Sequence, residues 1–216
     1  MSMEAYKKSM NFHENYYESI YQGLSESLFY KNNQILDANL FFGEIKDLLE
    51  NIYELKKSKL IFLGNGASSA FANHMALDFS KNGKLISRSL SDSALLTALS
   101  NDFSYEDAFV EFLKIEDVGV NDLVITISSS GNSKNIINSL VFCQENNIKT
   151  LALSGLNPDN LSIKNSTYSI FVPKKTYGIV ECNHQIFLHL ILDYFMDIKE
   201  WEKDESQNMN IKFYKL

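Results

Sequence analysis

"VITISSSGNSKNIINSL", Val124 to Leu140, changes character twice within a few residues. Val124, Ile125, Thr126 and Ile127 are apolar or β-branched in succession, the signature of a strand covered on both faces. From Asn135 onward the apolar residues Ile136, Ile137 and Leu140 recur at helical spacing. Between the two lie Ser128, Ser129, Ser130, Gly131, Asn132 and Ser133. One hydroxyl is enough to cap a helix, so four are an excess. The first turn of a helix carries unpaired N–H groups and partial positive charge. Serine hydroxyls add donors without a formal charge, and the combination can hold a phosphate.

The same strand-to-helix alternation runs outward from this stretch. "KLIFLG" (Lys59–Gly64) reads as a strand, followed by a helix from about Ser68 to Lys81. "KLIS" (Lys84–Ser87) is a second strand, and "SDSALLTALSN" and "YEDAFVEFLK" are helical. "DLVITIS", "IKTLALSG" and "YSIFVP" supply three more strands, with "NIINSLVFCQENN" helical between the first two. A long helix runs from about Gly178 to Lys199. This order predicts an α/β fold with a doubly wound, mainly parallel five-stranded sheet.

Residues 1–57 are polar with scattered aromatics, contain no Pro, and have Gly only at 23 and 43. They predict two N-terminal helices. Their aromatics (Tyr16, Tyr17, Tyr21, Phe29, Tyr30, Phe41, Phe42) exceed what a thin amphipathic stripe needs. They either pack on the main domain or form a subunit interface. The main domain is expected over 58–199, and a charged tail, an edge strand or without fixed structure, over 200–216.

Composition excludes several functions. The 216 residues are 45% hydrophobic, enough for one α/β domain with an appendage. The net charge is −7 and Arg88 is the only arginine, so there is no basic stripe for nucleic acid. No apolar run is long enough for a bilayer, and "MSMEAYKKSMNFHENYY" lacks the apolar core of a signal peptide. Cys143 and Cys182 form no CxxC pair and read as reduced thiols of a cytoplasmic protein.

A second loop, "GNGASSAFANH" (Gly64–His74), also follows a strand. Gly64 and Gly66 match the start of GxGxxG, but Ser69 stands at the third glycine and no GK[ST] follows, which is weak evidence for a dinucleotide. Further along this helix, His74 and Asp78 are four apart and share a face. Glu181, Gln185 and His189 also progress by fours. His74, Asp78, Glu181 and His189 could together ligate a divalent metal, zinc fitting best. The plain alternatives are a surface His–Asp pair and a core histidine inside "QIFLHLIL".

Taken together, the two loops resemble the sugar isomerase (SIS) domain family, and its phosphoheptose (sedoheptulose-7-phosphate) isomerase branch in particular. The matching pieces are "GNGASSAFANH", "SNDFSYEDAF" (Ser100–Phe109), "ISSSGNSKNII" (Ile127–Ile137) and "ECNHQIFLH" (Glu181–His189). The resemblance implies that Ser128, Ser130 and Ser133 bind the substrate phosphate with help from Ser68 in the Gly66 loop. Asn65 and Ser129 would contact the sugar, and Asn101 and Asp102 would line the cleft. It further implies zinc or another divalent metal on His74, Asp78, Glu181 and His189, and a homotetramer built through the N-terminal helices. Asp78 stands where the family has Glu, and Glu181 where it has Gln. Gly178, Ile179 and Val180 stand where an acidic residue and an Arg are common, and Lys81 lies near a position often held by Arg.

The implied activity is aldose–ketose isomerisation of a phosphosugar through an enediol(ate), as in heptose supply for lipopolysaccharide or capsule. Asp78 or Glu181 would be the base and His189 the acid. The alternatives are a non-catalytic phosphosugar-binding regulator or scaffold, and a metal-independent isomerase of a shorter ketose phosphate.

Overall fold

The structure, a computed structural model, describes residues 11–202. Helix α1 (Phe12–Ser25) opens with a reciprocal cap, Asn11 accepting from the Glu14 N–H while Glu14 accepts from the Asn11 N–H. Strands β1 (Leu28–Lys31) and β2 (Gln34–Leu36) follow, then helix α2 (Ala38–Leu55), capped by Asp37. Next come β3 (Lys59–Gly64), α3 (Ala67–Lys81), β4 (Ile86–Ser89), α4 (Ser93–Asp102) and α5 (Ala108–Ile115). The rest is β5 (Leu123–Ile127), α6 (Lys134–Glu145), β6 (Lys149–Gly155), α7 (Leu161–Asn165), β7 (Tyr168–Val172), α8 (Tyr177–Phe195) and a 3-10 turn, Glu200–Glu202.

The sheet has seven strands in the order β2-β1-β7-β6-β5-β3-β4. The five expected strands are all parallel to their neighbours among themselves. The two extra strands correct the sequence expectation: an antiparallel hairpin replaces helix between α1 and α2, and β1 pairs antiparallel with β7. Its cause is local. Asn32 and Asn33 have φ of 48° and 62°, the left-handed pair that a two-residue hairpin demands.

Alternate strand residues face two separate cores. Leu60, Phe62, Leu123, Ile125, Leu151 and Leu153 face a core closed by α2, α3 and α8, while Ile61, Leu63, Val124 and Ala152 face one closed by α5 and α6. Helices therefore cover both faces. The N-terminal aromatics divide. Phe29 packs with Phe41, Phe42 and Phe187 at centroid distances of 5.1, 5.1 and 5.8 Å. Tyr17 and Tyr21, on α1, stay 64% and 65% exposed. Among the described residues no helix is long and apolar enough to cross a membrane. The tail beyond Glu202 lies outside the described residues.

Candidate active site

From β3 the chain steps out to β4, then returns across β3 to β5 on its other side. Such a reversal leaves a crevice beyond the carboxyl ends of the two central strands. The Gly64–Gly66 loop follows β3 and the Ser128–Ser133 loop follows β5. The sheet topology thus brings both sequence-predicted loops to the same crevice.

The serine loop is held from behind. The Gly131 N–H donates to the carbonyl of Ser128 at 2.9 Å and to its Oγ at 3.2 Å. The Gly131 carbonyl accepts from both the N–H and the Oγ of Ser162, each at 3.0 Å, and Asn132 Oδ1 accepts from the Leu161 N–H at 2.9 Å. Helix α7 therefore braces the loop. Its front is left with donors. Ser133 is the N-cap of α6 yet makes no side-chain capping bond, and α3 opens behind Gly66, also without one. The plain alternative, a serine used as the cap, is not what Ser133 does. Ser129 is buried with an Oγ that has no partner among the described residues, and Ser130 Oγ accepts only a 3.3 Å bond from the Asn132 N–H. Ser68 is buried in the first turn of α3.

Asn65 is fixed by residues the sequence pattern does not single out. Its carboxamide pairs reciprocally with that of Asn135, 2.9 Å in each direction, and its Oδ1 also accepts from the Tyr105 hydroxyl at 2.7 Å. The pair ties the first loop to the start of α6. Asn101 and Asp102, at the exposed end of α4, are joined by a 2.9 Å bond from Asn101 Nδ2 to Asp102 Oδ1.

Two or more turns down the facing helices lies a cluster of metal-ligand type. One donor atom each from His74, Asp78 and His189 falls within a 4.8 Å group. His74 Nε2 lies 3.2 Å from Asp78 Oδ2, and the His74 and His189 rings meet edge to face at 5.5 Å. Glu181 is not in the group: eight residues along α8 place it roughly 12 Å from His189 along the helix axis. Gln185, one turn from His189, is there instead. Its Nε2 donates to His189 Nε2 at 2.9 Å, while its Oε1 is buried without a partner among the described residues. The two imidazoles and the carboxylate form an N/O donor set that fits zinc, with the Gln185 carboxamide against His189.

His184 braces the back of the site. It is fully buried, and its Nε2 donates to the Ser154 carbonyl at 3.1 Å. The neighbouring Gly155 N–H donates to the Ser129 carbonyl at 3.0 Å, so the brace reaches the serine loop. Burial pushes the His184 pKa down to about 4, overriding the opposing effect of the Ser154 bond. The group is neutral in the fold but protonates near pH 6.5 when unfolded. Its contribution to stability is therefore complete above that value and lost as pH falls toward 4, about 3 kcal/mol in all. Denaturant unfolding at pH 7 and pH 4 should show this loss, and a His184→Gln variant should lack that part of the slope.

The doubly wound sheet, the serine cradle at its crevice and the histidine–carboxylate group together define a sugar isomerase (SIS) fold. Solved structures bear the fold out. A phosphoheptose isomerase from Neisseria gonorrhoeae superposes with a TM-score of 0.67 over 85% of this chain and 96% of that one, at 24% identity. One from Francisella tularensis gives 0.70 over 84% and 95%, at 20% identity. No family model matches the chain. In sequence it is 32% identical to phosphoheptose isomerase 2 of Campylobacter jejuni over 174 residues, 77% of this chain and 86% of that protein. The chain belongs to the phosphoheptose isomerase family.

Proposed function

We propose that this protein interconverts sedoheptulose 7-phosphate and the aldose D-glycero-D-manno-heptose 7-phosphate. The observation that carries the reading is the serine cradle: the start of α6, where the N-cap Ser133 makes no side-chain capping bond, lined by Ser128, Ser129, Ser130 and Ser133 at the sheet's crevice. Ser130, Ser133 and the first N–H groups of α6 hold the phosphate, with Ser68 adding a hydroxyl from the start of α3. Asn65, held by Asn135 and Tyr105, meets the sugar hydroxyls, with Ser129, Asn101 and Asp102 along the cleft. His74 lies seven residues along α3 from Ala67, roughly 10 Å by helix rise. That separation suits a long sugar phosphate whose phosphate and carbonyl ends are handled at different places.

His74, Asp78 and His189, with the Gln185 carboxamide beside them, would hold zinc. When bound, zinc supplies a positive charge that favours the enediolate form of the sugar. The Asp78 carboxylate removes a proton from C1 of the ketose while His189 gives one to the carbonyl oxygen at C2. The electron pair of the broken C–H bond becomes the C1–C2 double bond. Return of a proton to C2, with loss of the O1 proton, gives the aldose. Glu181 is a second carboxylate, eight residues before His189 on α8. The cradle holds the far end of the sugar, so binding energy remote from the reacting carbons positions them. The exposed apolar side chains of α1 (Tyr17, Tyr21) and α8 (Ile186, Leu190, Tyr194) suit a homotetramer, and the free thiols of Cys143 and Cys182 suit the cytoplasm.

The metal reading has a direct test. Exhaustive chelation should abolish turnover, and zinc should restore it. Turnover that survives chelation assigns the metal-independent route. A Gln185→Leu variant should bind zinc about tenfold or more weakly in competition with a chromophoric chelator, the effect expected of losing a group that orients or joins a ligand set. Its affinity for sedoheptulose 7-phosphate should stay within a few-fold.

A further inference from the structure

A cavity of about 340 Å³ opens at the end of the sheet opposite the serine cradle. Its floor is the start of β6 and the residues leading into β7, and its wall is the Asn32–Asn33 turn. Strand β6 has seven residues and runs parallel to β5, so roughly 20 Å of sheet separates this cavity from the phosphate loop. None of the residues assigned to the isomerase site lines it.

The lining has a consistent chemistry. The carboxamide residues Asn32, Asn33, Gln144, Asn147 and Asn165 line it, the Asn165 Nδ2 also donating to the Leu161 carbonyl at 2.8 Å. Three of these residues, Asn32, Asn33 and Asn147, sit in the left-handed region, at φ of 48°, 62° and 57°, where the chain turns at the rim. Three carbonyls near the end of α6 are already engaged: Phe142, Cys143 and Gln144 accept from the N–H groups of Asn146, Ile148 and Asn147. In the floor, Ser166 is 7% exposed and its Oγ is buried with no partner among the described residues. Lys149 and Lys164 bring positive charge, Lys164 also pairing with Asp159, and no acidic residue lines the cavity.

A carboxamide presents a donor and an acceptor side by side, which matches adjacent sugar hydroxyls. No aromatic ring lines the cavity, so there is no surface on which a nucleobase could stack. The volume lies within the usual range for small-molecule sites. We propose that this cavity is a second, non-catalytic site for a phosphorylated sugar, its hydroxyls held by the carboxamides and its phosphate by Lys149 and Lys164. The proposal rests on the chemistry of the cavity and not on the reaction assigned to the crevice.

The experiment is a calorimetric titration of the full chain with sedoheptulose 7-phosphate, glucose 6-phosphate, inorganic phosphate and glucose. It is repeated in a Ser130→Ala/Ser133→Ala background that weakens the crevice site. The expected result is that a sugar phosphate still binds this background, one per chain, more tightly than phosphate or glucose. Adding Lys149→Glu/Lys164→Glu should weaken that binding tenfold or more. The lysine changes alone, in the protein with its serines intact, should leave turnover of sedoheptulose 7-phosphate within about twofold. The proposal is overturned if the serine variant binds no sugar phosphate, if the lysine changes leave its binding unaltered, or if glucose or phosphate alone binds as tightly.

Discussion

A Gly131→Ala variant is expected to lose phosphosugar binding by a factor of about ten to a hundred, the scale of one lost hydrogen bond to a charged group. Gly131 has φ of +62°, which costs an L-residue roughly 1–2 kcal/mol. The added methyl would lie 2.3 Å from Asn160 Oδ1 and 2.5 Å from its Cγ. Asn160 has no room to withdraw. It is fully buried, its Oδ1 caps α7 by accepting from the Ile163 N–H, and its Nδ2 donates to Ser154 Oγ and to the Asn157 carbonyl. The loop must move instead, and it carries Ser128, Ser129, Ser130 and Ser133 with it. Gly119→Ala is the matched control, because nothing lies within 4 Å of its added methyl. Calorimetric titration of both variants with sedoheptulose 7-phosphate, alongside their melting temperatures, checks this.

His189→Ala should separate chemistry from binding. Loss of a positioned acid or base costs about a hundred- to ten-thousandfold in rate, and His189 is also one of the three grouped donors. Turnover should therefore fall by about a thousandfold or more, while the dissociation constant for sedoheptulose 7-phosphate changes only a few-fold. Asp78→Asn should behave alike, since the carboxamide keeps the shape but cannot take the proton. Full activity in either variant would mean that the substituted residue does not carry the proton transfer.

Much of the fold was legible because the central strands are buried on both faces. "KLIFLG", "DLVITIS" and "IKTLALSG" each carry at least three consecutive apolar residues, and each became a parallel strand. The β1–β2 hairpin was not legible in the same way. Its strands are short and only half-buried at β1, so "LFYKNNQIL" carries neither a long apolar run nor strict alternation. Only the Asn32–Asn33 pair marked the turn. The site shows the same division. Serines between a strand and a helix are local signals, and so are His and Asp four apart on one helix. Asn135 gains its role only when it meets Asn65, 70 residues earlier in the chain. Gln185 was visible as part of a four-residue series with Glu181 and His189. Which of its neighbours joins the donors depends on how α8 packs against α3, which spacing alone does not fix.

The crevice is proposed to isomerise a seven-carbon ketose phosphate. Proton NMR of sedoheptulose 7-phosphate incubated in deuterated buffer with the protein and added zinc tests it most directly. Anomeric signals of an aldoheptose 7-phosphate should grow until the two sugars reach equilibrium, and should be absent when His189→Ala replaces the native chain. A ketose spectrum that stays unchanged over the same period, with the sugar phosphate bound and zinc present, would contradict it and leave a phosphosugar-binding protein without isomerase activity.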